Sequence, residues 1–291
     1  MTWRTVIVRE RAKLDYSLNF MTVRKEAEMR KISLSEIYMV IVESTAVSLT
    51  AVLLNELVKN KIKVVFCDEK RTPSSELLPY YGSHDTSLKY KYQLDWTEEC
   101  KQRVWTRIIF EKIYNQMLLL KKLNKVEYKL LEQYLNEIEW NDNSNREGHA
   151  AKVYFNALFG LDFSRNKECF VNAALDYGYS IILSAFNREI VSCGYFTQLG
   201  LCHKNPFNKF NLASDFMEPF RILVDEEVYN LEQSEFSKEH KNILINILNK
   251  TVTIDGKQQT IANAIKIYCR SLFTGLKEED LEYIKMYKYE L

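Results

Sequence analysis

The spacing of apolar residues changes near position 96, and that change divides the chain. Before it, apolar positions come in short β-branched runs: Thr5-Val6-Ile7-Val8, then Ile32 and Leu34, then Tyr38-Met39-Val40-Ile41-Val42, and finally Lys63-Val64-Val65-Phe66-Cys67. Compact runs of this kind predict strands. Between the last two, Val47, Ala51, Leu54 and Val58 recur at helical spacing behind Glu43-Ser44-Thr45. This predicts one helix with its N-cap at the Ser/Thr pair, and a β-α-β passage. From Asp68 to Asp85, Pro73, Pro79, Gly82 and several Ser and Thr interrupt both periods and predict a linker.

After Trp96 the period is that of helices. Val104, Ile108, Ile109, Ile113, Met117 and Leu118 form one stripe with Lys and Arg opposite, and Val126, Leu130, Leu131, Leu135 and Ile138 form a second. Asn141-Asp142-Asn143-Ser144-Asn145 is a polar break rich in capping residues. Helix resumes at Arg146 and stops at Gly160, which suits a C′ position. Phe170 to Cys193 is a long apolar-periodic segment ended by Gly194. A loop spans Tyr195 to Asn211, and a helix then carries Asp215 and Glu218. Asp255-Gly256 predicts a tight hairpin within residues 251–257. Two more helices, through Ile261 and Ile265 and through Leu281 and Ile284, are expected at the end. The fold class is α+β: an N-terminal β-rich domain over 1–70, a linker over 71–95, and a larger all-α domain over 96–291.

Composition removes several alternatives. Eight Gly and four Pro among 291 residues exclude collagenous and low-complexity chains and argue against an all-β fold with its many tight turns. Lys plus Arg number 40 against 39 Asp plus Glu, so bulk charge gives no support to a nucleic-acid coat. The six Cys (67, 100, 169, 193, 202 and 269) contain no C-x-x-C pair, which excludes a zinc knuckle or dithiol redox motif and suits reduced thiols in a cytoplasmic protein. The most apolar long stretch, Tyr38 to Leu54, is interrupted by Glu43 and four hydroxyl residues, so no membrane span is expected.

Three segments concentrate metal-binding side chains. Glu147 stands near a helix start in Arg146-Glu147-Gly148-His149, His203 in Gly200-Leu201-Cys202-His203, and Asp215 with Glu218 in Asp215-Phe216-Met217-Glu218-Pro219-Phe220-Arg221. A spacing of three puts the last two carboxylates on one helix face, able to address one point. Carboxylates with one imidazole suit Mg²⁺ or Mn²⁺, the imidazole favouring Mn²⁺, and such a site polarises a phosphodiester. Periodicity alone leaves simpler readings open. Glu147 also fits compensation of a helix dipole, His203 a loop or core position, and the Asp215/Glu218 pair an exposed face. His149 lies about 200° around the helix from Glu147 and points elsewhere. Cys202 beside His203 is poorly placed as a thiol nucleophile, because chain neighbours seldom meet as nucleophile and base.

Taken in order, these segments resemble the signature of the CRISPR spacer-acquisition integrase family: Glu147-Gly148 with Ala151 and Tyr154, the Gly200-x-x-His203 loop, and Asp215-x-x-Glu218-Pro219-Phe220-Arg221. Asn172-Ala173-Ala174-Leu175-Asp176-Tyr177-Gly178-Tyr179 is similar to a fourth family segment, with Asp176 where Asn is common. The stretches Val65–Arg71 and Pro79-Tyr80-Tyr81-Gly82-Ser83-His84-Asp85 look most like members from type II systems. The resemblance implies that Glu147, His203 and Glu218 hold Mg²⁺ or Mn²⁺ and carry catalysis, with Asp215 an auxiliary ligand or a support behind them. Glu218 replaces a more frequent Asp and reaches one methylene further. The implied reaction joins captured double-stranded DNA to a CRISPR repeat, a 3′-hydroxyl attacking a phosphodiester. The implied partners are a second copy of the chain, a small CRISPR-associated protein, and in type II systems the effector nuclease and a ring-shaped accessory protein. Lys13, Arg24, Arg30, Lys59, Lys61, Lys63, Lys70 and Arg71 are the basic residues considered for DNA contact. Two other classes remain to be separated: a metal-dependent repair nuclease, and a helical structural subunit whose carboxylates bind nothing.

Overall fold

The computed structural model describes residues 4–26, 28–69, 71–80, 82–232 and 235–289. Lys70 and Tyr81 lie outside the described residues. The chain forms two compact units, 1–84 and 85–291.

The first unit contains β1 (Arg4–Val8), β2 (Ala12–Ser17), β3 (Phe20–Arg24), β4 (Met29–Ser33), β5 (Ile37–Val42), β6 (Val47–Leu49), α1 (Ala51–Lys59), β7 (Lys63–Cys67) and β8 (Pro73–Leu77). One sheet has the order β1-β5-β7-β8, the first three strands parallel and β8 antiparallel. Every residue of β5 is buried, as its continuous apolar run requires of an inner parallel strand. A second sheet runs β4-β3-β2-β6. Leu14, Met21, Leu34, Ile37, Val40, Leu53, Leu57 and Val64 share one core.

Three features of this unit depart from the sequence expectation. Val47 and Leu49 belong to a strand paired with β2, and the helix begins only at Ala51, where the Thr50 hydroxyl accepts the Leu53 amide at 3.3 Å. The β2–β3 hairpin was not foreseen. Its turn has left-handed backbone at Leu18 (φ 49°) and Asn19 (φ 66°), the twist a two-residue hairpin needs, without the Asn-Gly or Asp-Gly that announces it. The stretch expected as a linker holds β8, whose Glu76 meets Lys63 in a buried ion pair, and its second half, in the next unit, is a helix from Thr86.

The second unit is mostly helical: α2 (Thr86–Asp95), α3 (Glu98–Lys122), α4 (Tyr128–Asn136), α5 (Arg146–Phe159), α6 (Phe170–Ser192), α7 (Asn211–Met217), α8 (Arg221–Tyr229), α9 (Lys238–Asn246) and α10 (Ile261–Glu278). A small sheet β10-β9-β11 is built from β9 (Thr251–Ile254), β10 (Lys257–Thr260) and β11 (Tyr287–Lys288). The Asp255-Gly256 hairpin falls where expected, with positive φ at both residues. The expected last helix is only a 3₁₀ turn, Leu281–Tyr283, before β11 pairs with β9. The second unit is thus helical as expected, with this small sheet built on the expected hairpin.

α6 is apolar on most of its circumference and forms the centre of the unit, touching α7, α8, α9 and α10. At Gly178, a Cβ would stand 2.4 Å from a methyl of Val224, so only glycine lets α8 approach this closely. That approach positions the residues described next.

Candidate active site

Glu147 is placed by the polar break before α5. Asn141, Asp142 and Asn145 take left-handed backbone, which folds the chain back on itself. Asp142 then caps the helix, its two carboxylate oxygens accepting the Arg146 amide at 2.8 Å and the Glu147 amide at 3.0 Å. Glu147 is held in the first turn, partly exposed.

His203 is placed by a buried carboxylate. Asp215, fully buried on α7, accepts the Leu201 and Cys202 amides on Oδ2 at 2.6 and 3.1 Å and the His203 amide on Oδ1 at 3.3 Å. The same Oδ1 faces His203 Nδ1 within hydrogen-bond distance. A carboxylate there selects the Nδ1–H tautomer and leaves Nε2 with its lone pair. The imidazole lies edge-on to Trp105 of α3 with 5.8 Å between ring centres, and its side chain is 44% exposed. Gly200 is required here by space: an added Cβ would fall 2.5 Å from the His203 carbonyl and 2.6 Å from Asp215 Oδ2. The Asp215 hydrogen bond raises the proton affinity of His203 most, against burial, and the charges of Asp215, Glu218 and Glu147 add to it.

Asp215 and Glu218 make different direct contacts, Asp215 with the 201–203 loop and Glu218 with Lys112 and Arg221, while both charges act on His203. α7 ends at Met217, and Glu218-Pro219-Phe220 forms a 3₁₀ turn before α8. Glu218 is buried, its Oε1 accepting from Arg221 Nε at 3.0 Å. Burial pushes its carboxyl up, but Arg221 and Lys112 outweigh burial and hold it near about 2. Arg221 lies over the Tyr179 ring at 4.8 Å, and the Tyr179 and Tyr154 hydroxyls both donate to Asp225, buried one turn further along α8.

Lys112 of α3 gathers the two glutamates. Its Nζ is 2.6 Å from Glu147 Oε1 and 2.6 Å from Glu218 Oε2. Among the described residues, no three His, Cys, Asp or Glu side chains stand close enough to hold a metal ion as they are; an ammonium takes the place between the carboxylates. The donor set nevertheless suits a hard divalent cation. Two carboxylates and the His203 imidazole share one electrostatic neighbourhood, and Glu218 Oε2 is buried with the Lys112 ammonium as its partner, a place where a divalent cation would be held by the same oxygens.

Sequence reasoning missed Lys112, Trp105 and Asp225. Lys112 had a signal, since it falls four residues after Ile108 and three after Ile109, on the apolar stripe of α3 and not on its charged face. Of the basic residues considered for DNA, Arg24, Arg30 and Lys59 are paired with Asp15, Glu28 and Glu56, and Lys63 is buried. No helix among the described residues is long and apolar enough to cross a membrane.

A comparison with known families adds the deciding observation. The family model described as CRISPR associated protein Cas1 matches residues 5–252. This chain belongs to the Cas1 family. The CRISPR-associated endonuclease Cas1 of Neisseria meningitidis serogroup C (strain 8013) is 32% identical over 292 residues, covering 98% of this chain and 96% of that protein. Among solved structures, a casposase bound to integration product superposes with a TM-score of 0.76 at 19% identity, over 97% of this chain and 92% of that one. A Cas6-RT-Cas1–Cas2 complex matches with a TM-score of 0.76 at 18% identity, over 99% of this chain and 36% of that one. At these identities the two structures show a shared fold. They agree with a β-sheet unit followed by a mostly helical Cas1 unit.

Proposed function

We propose that this Cas1 chain is a metal-dependent DNA integrase of CRISPR adaptation, with Glu147, His203 and Glu218 as its catalytic metal ligands and Asp215 as the group that positions His203. The observation that carries this reading is the convergence of Glu147 and Glu218, from separate elements, on one cation, beside an imidazole whose Nδ1 is held by a buried carboxylate. The names of the similar proteins, an endonuclease and a casposase with an integration product, support phosphodiester chemistry.

Mg²⁺ or Mn²⁺, when bound, supplies the positive charge that screens the attacked phosphate and favours ionisation of a hydroxyl. The chain's own residues prepare for this. Arg221 keeps Glu218 ionised in a buried place, where an unpaired carboxylate would otherwise take up a proton. Asp215 at Nδ1 favours the tautomer with its proton there, which leaves the Nε2 lone pair to a metal. In the reaction, the 3′-hydroxyl oxygen of a double-stranded fragment forms a bond to phosphorus in the repeat. The bond from that phosphorus to the 3′-oxygen of the repeat strand breaks. With water in place of the hydroxyl, the same residues give endonuclease activity. The working assembly is a homodimer with the small partner protein of the acquisition complex. The Cas1–Cas2 complex among the similar structures favours that partner, while the resemblance to type II members extends the set to the effector nuclease and the ring-shaped accessory.

Strand transfer tests the reading. With the partner protein, Mn²⁺ and a repeat-containing plasmid, short duplexes with 3′-hydroxyl ends should be joined, and duplexes with dideoxy ends or reactions in EDTA should give no product. Nicking that proceeds equally with blocked ends, and no joined product under any condition, would leave only a repair-type nuclease.

A further inference from the structure

The two glutamates are already neutralised before any metal arrives. Lys112 touches both through Nζ, at 2.6 Å each, with its side chain only 12% exposed, and Arg221 adds a second positive charge on Glu218 at 3.0 Å. In direct contact two carboxylates face two cations, with Asp142 and Asp225 acting on the same groups from further off. A divalent ion on the two glutamates would stand beside the charges of Lys112 and Arg221 in a place with little water, a repulsion that is costly at low dielectric. One resident cation must give way.

The geometry says which. Arg221 is fixed by its stack over Tyr179 at 4.8 Å and holds Glu218 through Oε1. Lys112 is a point charge on a flexible stem, and it sits on Glu147 Oε1 and Glu218 Oε2 together. An ammonium between the two glutamates occupies Glu147 Oε1 and Glu218 Oε2, the facing oxygens that a divalent ion placed between them would also need. We propose that Lys112 is a resident counter-ion that competes with the divalent metal for Glu147 and Glu218. It holds the two carboxylates together in the metal-free protein and is displaced when the ion binds. This rests on the reading of those glutamates as ligands.

A competitor and a support differ in sign. Residues that merely orient metal ligands lose about 10–100-fold in metal affinity when changed. A competitor, when its charge is removed, should tighten the metal on the order of tenfold or more, because a contact charge has been taken from the carboxylates. Equilibrium Mn²⁺ binding, followed by the electron paramagnetic resonance of the free ion, reads this sign without catalysis. Lys112→Met should bind Mn²⁺ more tightly than wild type. Lys112→Arg, which keeps the charge, should bind it no more tightly. In EDTA, Lys112→Met should melt below wild type, because two facing carboxylates lose their partner, and Mn²⁺ should remove the difference. Equal or weaker binding by Lys112→Met overturns the proposal while leaving the ligand reading intact. Absence of Mn²⁺ binding in all three proteins overturns both. Should Lys112→Met not fold, wild-type protein labelled with ¹⁵N-lysine gives the answer. The protected ammonium signal of Lys112 should be lost or moved at saturating Mg²⁺, and its persistence unchanged in the Mg²⁺-bound protein overturns the competition.

Discussion

Replacing Asp215 by Asn keeps shape and burial while changing one donor pattern. The carboxylate accepts four hydrogen-bond contacts, from the Leu201 and Cys202 amides on Oδ2 and from the amide and Nδ1 of His203 on Oδ1. An asparagine can keep its oxygen toward Leu201 and Cys202. Its NH₂ then faces His203, where it meets one backbone donor and turns Nδ1 into an acceptor. The imidazole proton must move to Nε2, the atom proposed to bind metal. The lost charge-assisted hydrogen bond contributes about 1.5–3 kcal/mol. At ~1.4 kcal/mol per factor of ten this corresponds to roughly 10–100-fold weaker Mn²⁺ binding, the range for groups that orient histidine ligands. Titration of Mn²⁺ measures the affinity, and the ¹⁵N shifts of the imidazole report the tautomer. Unchanged affinity with the proton still on Nδ1 would refute the reasoning.

Three further outcomes are expected. Glu147→Ala, His203→Ala and Glu218→Ala should each abolish strand transfer and cleavage with the fold retained by circular dichroism, and Asp215→Ala should leave more activity than Glu218→Ala; the reverse order means the wrong carboxylate was chosen as ligand. Cys202→Ser should stay active in the same assay, since burial and the charges of Asp215 and Glu147 push the thiol up to about 11 and keep it protonated; loss of chemistry in a folded variant would reopen the thiol mechanism. Burial pushes Asp225 up to about 6, despite the Tyr179 and Tyr154 hydroxyls that hold it down, so the native state binds this proton more tightly than the unfolded chain. Its contribution to stability is therefore present below the ordinary aspartate range and lost as pH rises through about 6. Denaturant unfolding of Asp225→Asn should show that loss, about 3 kcal/mol, missing relative to wild type between pH 4 and 7. Parallel pH profiles would contradict it.

How far the sequence predicted this arrangement depended on whether a residue acted through local pattern or through tertiary contact. The long helices α3 and α6 and the buried strand β5 follow from apolar spacing, and the hairpin at Asp255-Gly256 follows from its turn residues. The β2–β3 hairpin was invisible because Leu18-Asn19 adopts positive φ without glycine, and β2 alternates Lys13 and Asp15 with Leu14 and Tyr16 in a way that a surface loop also could. β8 was masked by its proline and two serines, which an edge strand tolerates. At the site, Glu147, His203 and Glu218 were named through resemblance, since spacing alone left them ordinary. What spacing could not supply was the direction of each side chain. It put Asp215 and Glu218 on one face but did not say which groups each would meet, the 201–203 loop for Asp215 and Lys112 with Arg221 for Glu218. Lys112 is 35 residues from Glu147 in the chain and over a hundred from Glu218, so only folding brings the three together.

The central claim is that Glu147, His203 and Glu218 form one metal site. Anomalous diffraction at the manganese edge, from crystals of the whole protein soaked in Mn²⁺, tests it most directly. The account predicts one strong peak bounded by the two carboxylates and His203 Nε2, with Lys112 Nζ moved off Glu147 and Glu218. A peak elsewhere, or none while Lys112 still bridges the glutamates at saturating Mn²⁺, would contradict it.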